Sequence, residues 1–186
     1  FEDRTNLTAR TALEVVRATP DAEMADPDVA VETALAGRSP GAVETLTLQR
    51  ARLETLGGAL QPFTRLRELD LSRNLLSSLE GLSSLRALQQ LTLYYNRVEN
   101  AREILRLGAN TALRSLDLRL IPVTRATRYR AFVLQSFPAL EKLDERVVGE
   151  LERRRFRQMA KVPIAELSFY DSSSGEEDEG EGAGAA

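Results

Sequence analysis

The 186-residue chain contains no Cys and no His. Its reactive side chains are therefore Asp, Glu, Ser, Thr, Tyr, Lys and Arg. That inventory excludes disulfides, thiolate or imidazole metal ligands, Cys nucleophiles and any triad with an imidazole base. Carboxylate pairs remain, and the most conspicuous is Asp70 with Asp117, each flanked by Leu on both sides. Acid chemistry shared between two carboxyls requires separations within roughly 10 Å. No Gly-x-x-x-x-Gly-Lys phosphate loop occurs, and Gly-x-Gly is found only near the C-terminus. The reading is a non-enzyme with no cofactor, no metal and no small-molecule substrate.

Recognition is the chemistry left over. Tyr94 and Tyr95 are adjacent, and aromatic and Arg side chains are the most frequent anchors of protein interfaces. A second cluster is Arg153, Arg154 and Arg155, within Glu-Leu-Glu-Arg-Arg-Arg-Phe-Arg. Three readings stand for it: a nucleic-acid patch, a contact for an acidic partner, or a solvated helix leading into a coiled coil. The first lacks a surrounding basic field and stacking aromatics, so no nucleic-acid partner is expected. Ser173 and Ser174 each precede an acid by three residues, Glu176 and Glu177, the pattern acidophilic kinases prefer.

Charge divides the chain. Residues 171–186 hold six acids and no base, which leaves 25 basic and 22 acidic residues in the body. The formal charge of −3 thus reports a tail, on a body of about +3. The tail has no apolar residue larger than Ala and cannot offset its ordering entropy, so it is expected to be disordered. No apolar run approaches the ~20 residues of a bilayer span, and the N-terminus lacks a signal-peptide pattern, so no membrane is involved and a cytosolic or nuclear address is the default. The chain opens on Phe1, the mark of a segment from a longer protein.

These side chains need a frame, and the leucines supply it. Of 30 Leu, 25 fall between Leu46 and Leu143. Aligning on apolar-x-x-Leu-x-Leu-x-x-Asn-x-apolar gives repeats starting at Val43, Leu66, Leu88 and Leu113, which are 23, 22 and 25 residues apart. Leu140-Glu-Lys-Leu143 starts a partial fifth. Each Leu-x-Leu is a short strand with two side chains inward, and each repeat covers its apolar edge only by stacking on the next. Asn74 and Asn96 are placed to satisfy backbone groups at the bend, while Ala51 and Ile121 replace Asn in the first and fourth repeats. The predicted fold is α/β, a leucine-rich-repeat solenoid with short parallel strands on its concave face.

Helices complete the pattern. Residues 8–18 and 27–36 read as a helical N-terminal cap, separated by Pro20 and Asp21. Asn100 with Glu103 has the form of a capping box, and Gly108 is placed to end that helix. Tyr129, Phe132, Val133 and Phe137 mark one face of a helix from about Thr127, stopped by Pro138, which with Leu140 and Leu143 closes the last open edge. The expected organisation is 1–40 helical cap, 41–148 repeats with C-terminal cap, 149–168 basic helical extension and 169–186 acidic tail.

The outward strand positions then fall into columns. Gln49, Ser72, Tyr94 and Arg119 form one, and Arg50, Arg73, Tyr95 and Leu120 the next. Arg50, Arg73, Tyr94, Tyr95, Arg119 and Leu120 are the candidate partner-binding patch, with Arg153, Arg154 and Arg155 as a secondary contact. The alternative for the Tyr pair is packing on neighbouring side-chain stems. Asp70 and Asp117 lie two repeats apart in one column, and pairing with neighbouring Arg is their expected role.

The segments Leu69-Asp-Leu-Ser-Arg-Asn74, Leu91-Thr-Leu-Tyr-Tyr-Asn96 and Leu116-Asp-Leu-Arg-Leu-Ile-Pro-Val123, with Phe137-Pro-Ala-Leu-Glu-Lys-Leu-Asp144, resemble capped leucine-rich-repeat proteins. Within that group they are most similar to the N-terminal domain of the seventy-two-kilodalton centrosomal protein of centriolar satellites and its paralogue. Ile121 departs from the Asn that precedes Pro in that family. The resemblance implies a non-catalytic adaptor, a scaffold component of a larger assembly at a centrosome, basal body or ciliary axoneme. Its implied partner is a coiled-coil or microtubule-associated protein, and its implied address is the cytoplasmic cytoskeleton. The alternative from the same group is a regulatory subunit of a protein phosphatase.

Overall fold

The computed structural model describes residues 26–164. The expected helix at 8–18, the acidic tail and Ser173 and Ser174 lie outside the described residues. Helix α1 (Pro27–Leu35) starts where Asp26 accepts a hydrogen bond from the Asp28 N–H and Pro27 takes the first turn. It ends at Ala36, whose φ of 48° reverses the chain. Its buried face, Ala30, Val31, Ala34 and Leu35, joins the apolar core.

Four three-residue strands follow: β1 (Thr45–Thr47), β2 (Glu68–Asp70), β3 (Gln90–Thr92) and β4 (Ser115–Asp117). They pair in parallel with Leu46, Leu69, Leu91 and Leu116 in register, so each rung stacks Leu on Leu. Leu48, Leu71, Leu93 and Leu118 form the next inward column, all without solvent exposure. Burying one such side chain stabilises by about 1.5–3 kcal/mol, a gain each repeat obtains only from its neighbours.

The bends after the strands are held by Asn. The Asn74 amide donates to the Leu48 and Leu71 carbonyls at 2.9 and 2.8 Å, and its Oδ1 accepts from the Leu53 N–H. Asn96 repeats the arrangement one rung later, on Leu71, Leu93 and Leu76. Where the fourth repeat has Ile121 the side chain is buried among the core aliphatics instead. On the outer arc, Asn110 is buried and donates to the Leu82 and Leu85 carbonyls, a contact to the preceding repeat that the repeat pattern alone did not single out.

Helix α2 (Ala101–Leu105) corrects two expectations. Asn100 caps it through the Arg102 N–H, but Glu103 does not reach back to complete a capping box. Its carboxylate accepts from the Ser78 hydroxyl at 2.7 Å and the Leu79 N–H at 2.9 Å, both in the preceding repeat. A buried backbone N–H needs an acceptor more than an exposed one does, and Glu103 stands over it. Gly108 does not end α2. The helix tightens after Leu105 into a 3₁₀ turn through Ala109, with Gly108 inside it.

The end of the solenoid is closed by α3 (Tyr129–Ser136), β5 (Lys142–Leu143) and β6 (Arg146–Val147). Strand β5 continues the parallel stack, and β6 turns back antiparallel to make the edge. Helix α4 (Glu150–Gln158) then docks on the cap. Arg130 donates to both Glu152 carboxylate oxygens, at 2.7 and 2.9 Å, and Gln135 donates to the Phe156 and Ala160 carbonyls. Arg153 donates to the Pro138 and Leu140 carbonyls. Among the described residues no helix is long and apolar enough to cross a membrane.

Candidate functional site

The outer face of the sheet carries the columns expected from the sequence, with Ser72 and Asp117 buried within them. At its third column Gln49, Ser72, Tyr94 and Arg119 succeed one another, and the Gln49 amide bonds the Ser72 hydroxyl at 2.9 Å. At the fourth, Arg50, Arg73, Tyr95 and Leu120 have φ of 59°, 58°, 57° and 57°. The left-handed turn is common to all four rungs because the chain must leave the strand sharply enough for the next residue to point inward. The N–H groups of Arg50, Arg73 and Tyr95 stay in the ladder, donating to the carbonyls of Ser72, Tyr94 and Arg119. A residue with a Cβ is disfavoured in this conformation by roughly 1–2 kcal/mol. All four are large, and Tyr95 and Leu120 remain 58% and 60% exposed.

Tyr94 is half-buried and lies between two guanidinium groups. Arg73 stands 5.8 Å from its ring centroid and Arg119 5.5 Å, while the Tyr95 ring is 6.3 Å away. The expected patch is thus brought together over Arg73, Tyr94, Tyr95, Arg119 and Leu120, with Arg50 exposed further along the fourth column. The packing alternative is realised in part, because Tyr94 is half-buried between two Arg guanidinium groups. Tyr95 and Leu120 face solvent.

Arg119 is oriented by Asp117, whose buried carboxylate accepts from Nε at 2.9 Å and from the other guanidinium nitrogen at 2.7 Å. That hydrogen bond holds the guanidinium pKa above its ordinary value. The expected Arg pairing is therefore present at Asp117. At Asp70 the carboxylate accepts from the Ser72 N–H at 2.8 Å. Among the described residues no group of acids could hold a metal ion.

Beside the patch, a groove of about 600 Å³ opens between the fourth repeat and the cap. Its walls include Tyr94, Arg119, Leu120, Arg130 and Arg146, with Tyr129 and Asp144 at its base. Asp144 accepts from the Leu118 N–H at 2.9 Å and from the Tyr129 hydroxyl at 3.1 Å. Burial, and after it the nearby Asp117 charge, leaves its carboxyl above the ordinary range despite those two bonds. The same burial, with Asp144 adjacent, raises the Tyr129 phenol far above its usual value. Sequence reasoning missed this groove, although Tyr129 and Asp144 were both in the cap motif.

The basic helix differs from its expected form. Arg153 is committed to the cap carbonyls, so it is a structural staple and not an available contact. Arg154 pairs with Glu150 at 3.4 Å, and Arg154, Arg155 and Arg157 remain exposed.

Comparison with known proteins supports the fold and its neighbourhood. A family model described as leucine rich repeat matches residues 42–98. Leucine-rich repeat-containing protein 36 of Mus musculus is 46% identical over 65% of this chain, and the centrosomal protein of 72 kDa of Mus musculus is 43% identical over 55%. The Homo sapiens cilia- and flagella-associated protein 410 is 37% identical over 51%. The chain spans only 17%, 16% and 38% of the length of these relatives. A chain of the Drosophila melanogaster SNF/U2A′ complex superposes with a TM-score of 0.56 at 24% identity, over 63% of this chain and 68% of that one, a likeness of fold. The repeat region of this chain thus has the leucine-rich-repeat fold and is similar in sequence to the centrosomal protein of 72 kDa and to leucine-rich repeat-containing protein 36.

Proposed function

We propose that the chain is a non-catalytic adaptor that docks a protein partner on the exposed face of its sheet, as a scaffold component of a centrosome, basal body or ciliary axoneme. The observation that carries this reading is the pair Tyr95 and Leu120. Both are large, both are more than half exposed, and both occupy a backbone conformation that costs folding energy. A side chain that neither packs nor relieves strain contributes little to folding, so its value lies in what it contacts. The buried Asp117 beneath Arg119, and the two guanidiniums about Tyr94, hold the patch in one arrangement before a partner arrives, which lowers the ordering cost of binding. The address rests on relatives named as centrosomal and cilia-associated proteins, and a coiled-coil or microtubule-associated partner suits such an assembly.

The test is cross-linking in the native assembly with a photoreactive residue at position 95 or 120, followed by calorimetry with the partner it captures. Replacing both Tyr94 and Tyr95 by Ala should weaken that binding by at least about 2 kcal/mol, the threshold of anchor residues. Reversing Arg154, Arg155 and Arg157 to Glu should leave it nearly intact, since these residues belong to a different surface. Capture of a phosphatase catalytic subunit, or loss of binding only in the Arg reversal, overturns the proposal.

A further inference from the structure

The groove beside the patch has a chemistry of its own, and it bears on what the partner presents there. Three of its wall residues are Arg, but they are not equivalent. Arg119 is bound to Asp117, and Arg130 is bound through two nitrogens to Glu152. Arg146 is exposed, and among the described residues no ion pair engages it; the same holds for Arg73 on the patch side. The acid at the base, Asp144, is committed to the Leu118 N–H and the Tyr129 hydroxyl. Neither donor on Asp144 carries a charge, so the positive charge offered to a visitor is local to Arg146, which acts on Glu152 only at longer range, while the Tyr94 ring and the exposed Leu120 side chain form the apolar part of a wall that also includes Thr124.

We propose that this groove takes a short segment of the partner carrying an acidic side chain beside a large aliphatic or aromatic one, the acid on Arg146 and the apolar group against Leu120 and Tyr94. This rests on the docking surface described above and names the chemistry of its occupant. A basic side chain in the groove would meet Arg146 while Asp117 and Glu152 are already engaged by Arg119 and Arg130, and juxtaposed like charges cost several kcal/mol. A volume of about 600 Å³ lies within the range of sites that hold a small ligand, so it admits a few side chains and not a whole helix.

The experiment selects displayed random peptides, about twelve residues long, on the immobilised 186-residue chain. The expected result is enrichment of Asp or Glu within two positions of Leu, Ile, Phe or Tyr. The best peptide should lose affinity by about tenfold or more on Arg146→Glu, and it should weaken as salt is raised. Arg146→Gln provides a second variant should the reversal disturb the β6 edge, and thermal melts establish that each variant folds. No enrichment, enrichment without acids, or undiminished affinity in both Arg146 variants overturns the proposal. Its failure is separable from failure of the docking surface: loss of native partner in the Tyr94 and Tyr95 variant without an acidic preference in the library leaves the surface standing and removes only its chemistry.

Discussion

Leu120 is a leucine where the backbone favours Gly or Asn. With φ at 57° and 60% of its surface exposed, it gains little from burial and bears the left-handed penalty. Leu120→Asn should therefore fold at least as well as the parent, with a gain of up to about 1 kcal/mol, because Asn tolerates this conformation. Its partner binding should fall. Melting curves and calorimetry on one preparation check both, and a clear loss of stability would mean that Leu120 packs in the native state. Asp144 shows the opposite case, a polar group whose cost is set by its surroundings. Burial raises its carboxyl pKa, so the folded state holds the proton more tightly than the unfolded chain. Stability is then fully present below the ordinary Asp range, near pH 3.9, and is lost as pH rises through the folded value. Asp144→Asn keeps an acceptor for the Leu118 N–H without the charge. Melting temperatures of variant and parent should agree in acid and separate in the variant's favour toward pH 7. A constant deficit at every pH would show that the charge is not what burial penalises.

At the scale of elements, the stack depends on contacts that pass between repeats. Asn74 and Asn96 tie successive bends, and Glu103 ties α2 to the turn of the repeat before it. Burial alone would raise the Glu103 carboxyl, but hydrogen bonds from Ser78, the Leu79 N–H and Arg106 outweigh it and hold the pKa below the usual range. The contribution is thus present above the ordinary Glu value, near pH 4.3, and disappears as pH falls through the lower folded value. Glu103→Ala should cost about 1–3 kcal/mol at neutral pH by leaving the Leu79 N–H, on a fully buried residue, without its acceptor. Glu103→Gln retains an oxygen there and should cost less. Chemical denaturation of the three proteins decides it: equal stability of Ala variant and parent would mean that solvent replaces the carboxylate.

Across the whole molecule, a stack of repeats is only as soluble as its ends. The edge beyond β4 is covered by α3 and β5, with β6 turned back and α4 pinned by Glu152, Arg153 and Gln135. Deleting residues 127–144 should expose Leu116, Leu118 and unpaired strand groups together, and the product should aggregate. A soluble truncation with one cooperative transition by light scattering and calorimetry would show that the cap is dispensable. The repeats themselves were legible residue by residue. Leu46, Leu69, Leu91 and Leu116 recur at a spacing only stacking can satisfy, and the side chains that alternate with them must face outward, which placed Tyr94 and Arg119 on one surface, while Tyr95 and Leu120 join them through the left-handed turn that ends each strand. Linear spacing determined that much because a strand has a period of two whatever it packs against. It could not say what a polar side chain meets in a neighbouring repeat. Glu103 was read as a local cap and proved to bridge repeats; Arg153 was read as free and proved to be a staple. The groove holding Tyr129 and Asp144 against Tyr94 arises from residues distant in the chain. Such partners are chosen by whichever buried donors and acceptors the tertiary fold leaves unsatisfied, and that is decided only once the repeats have closed on one another.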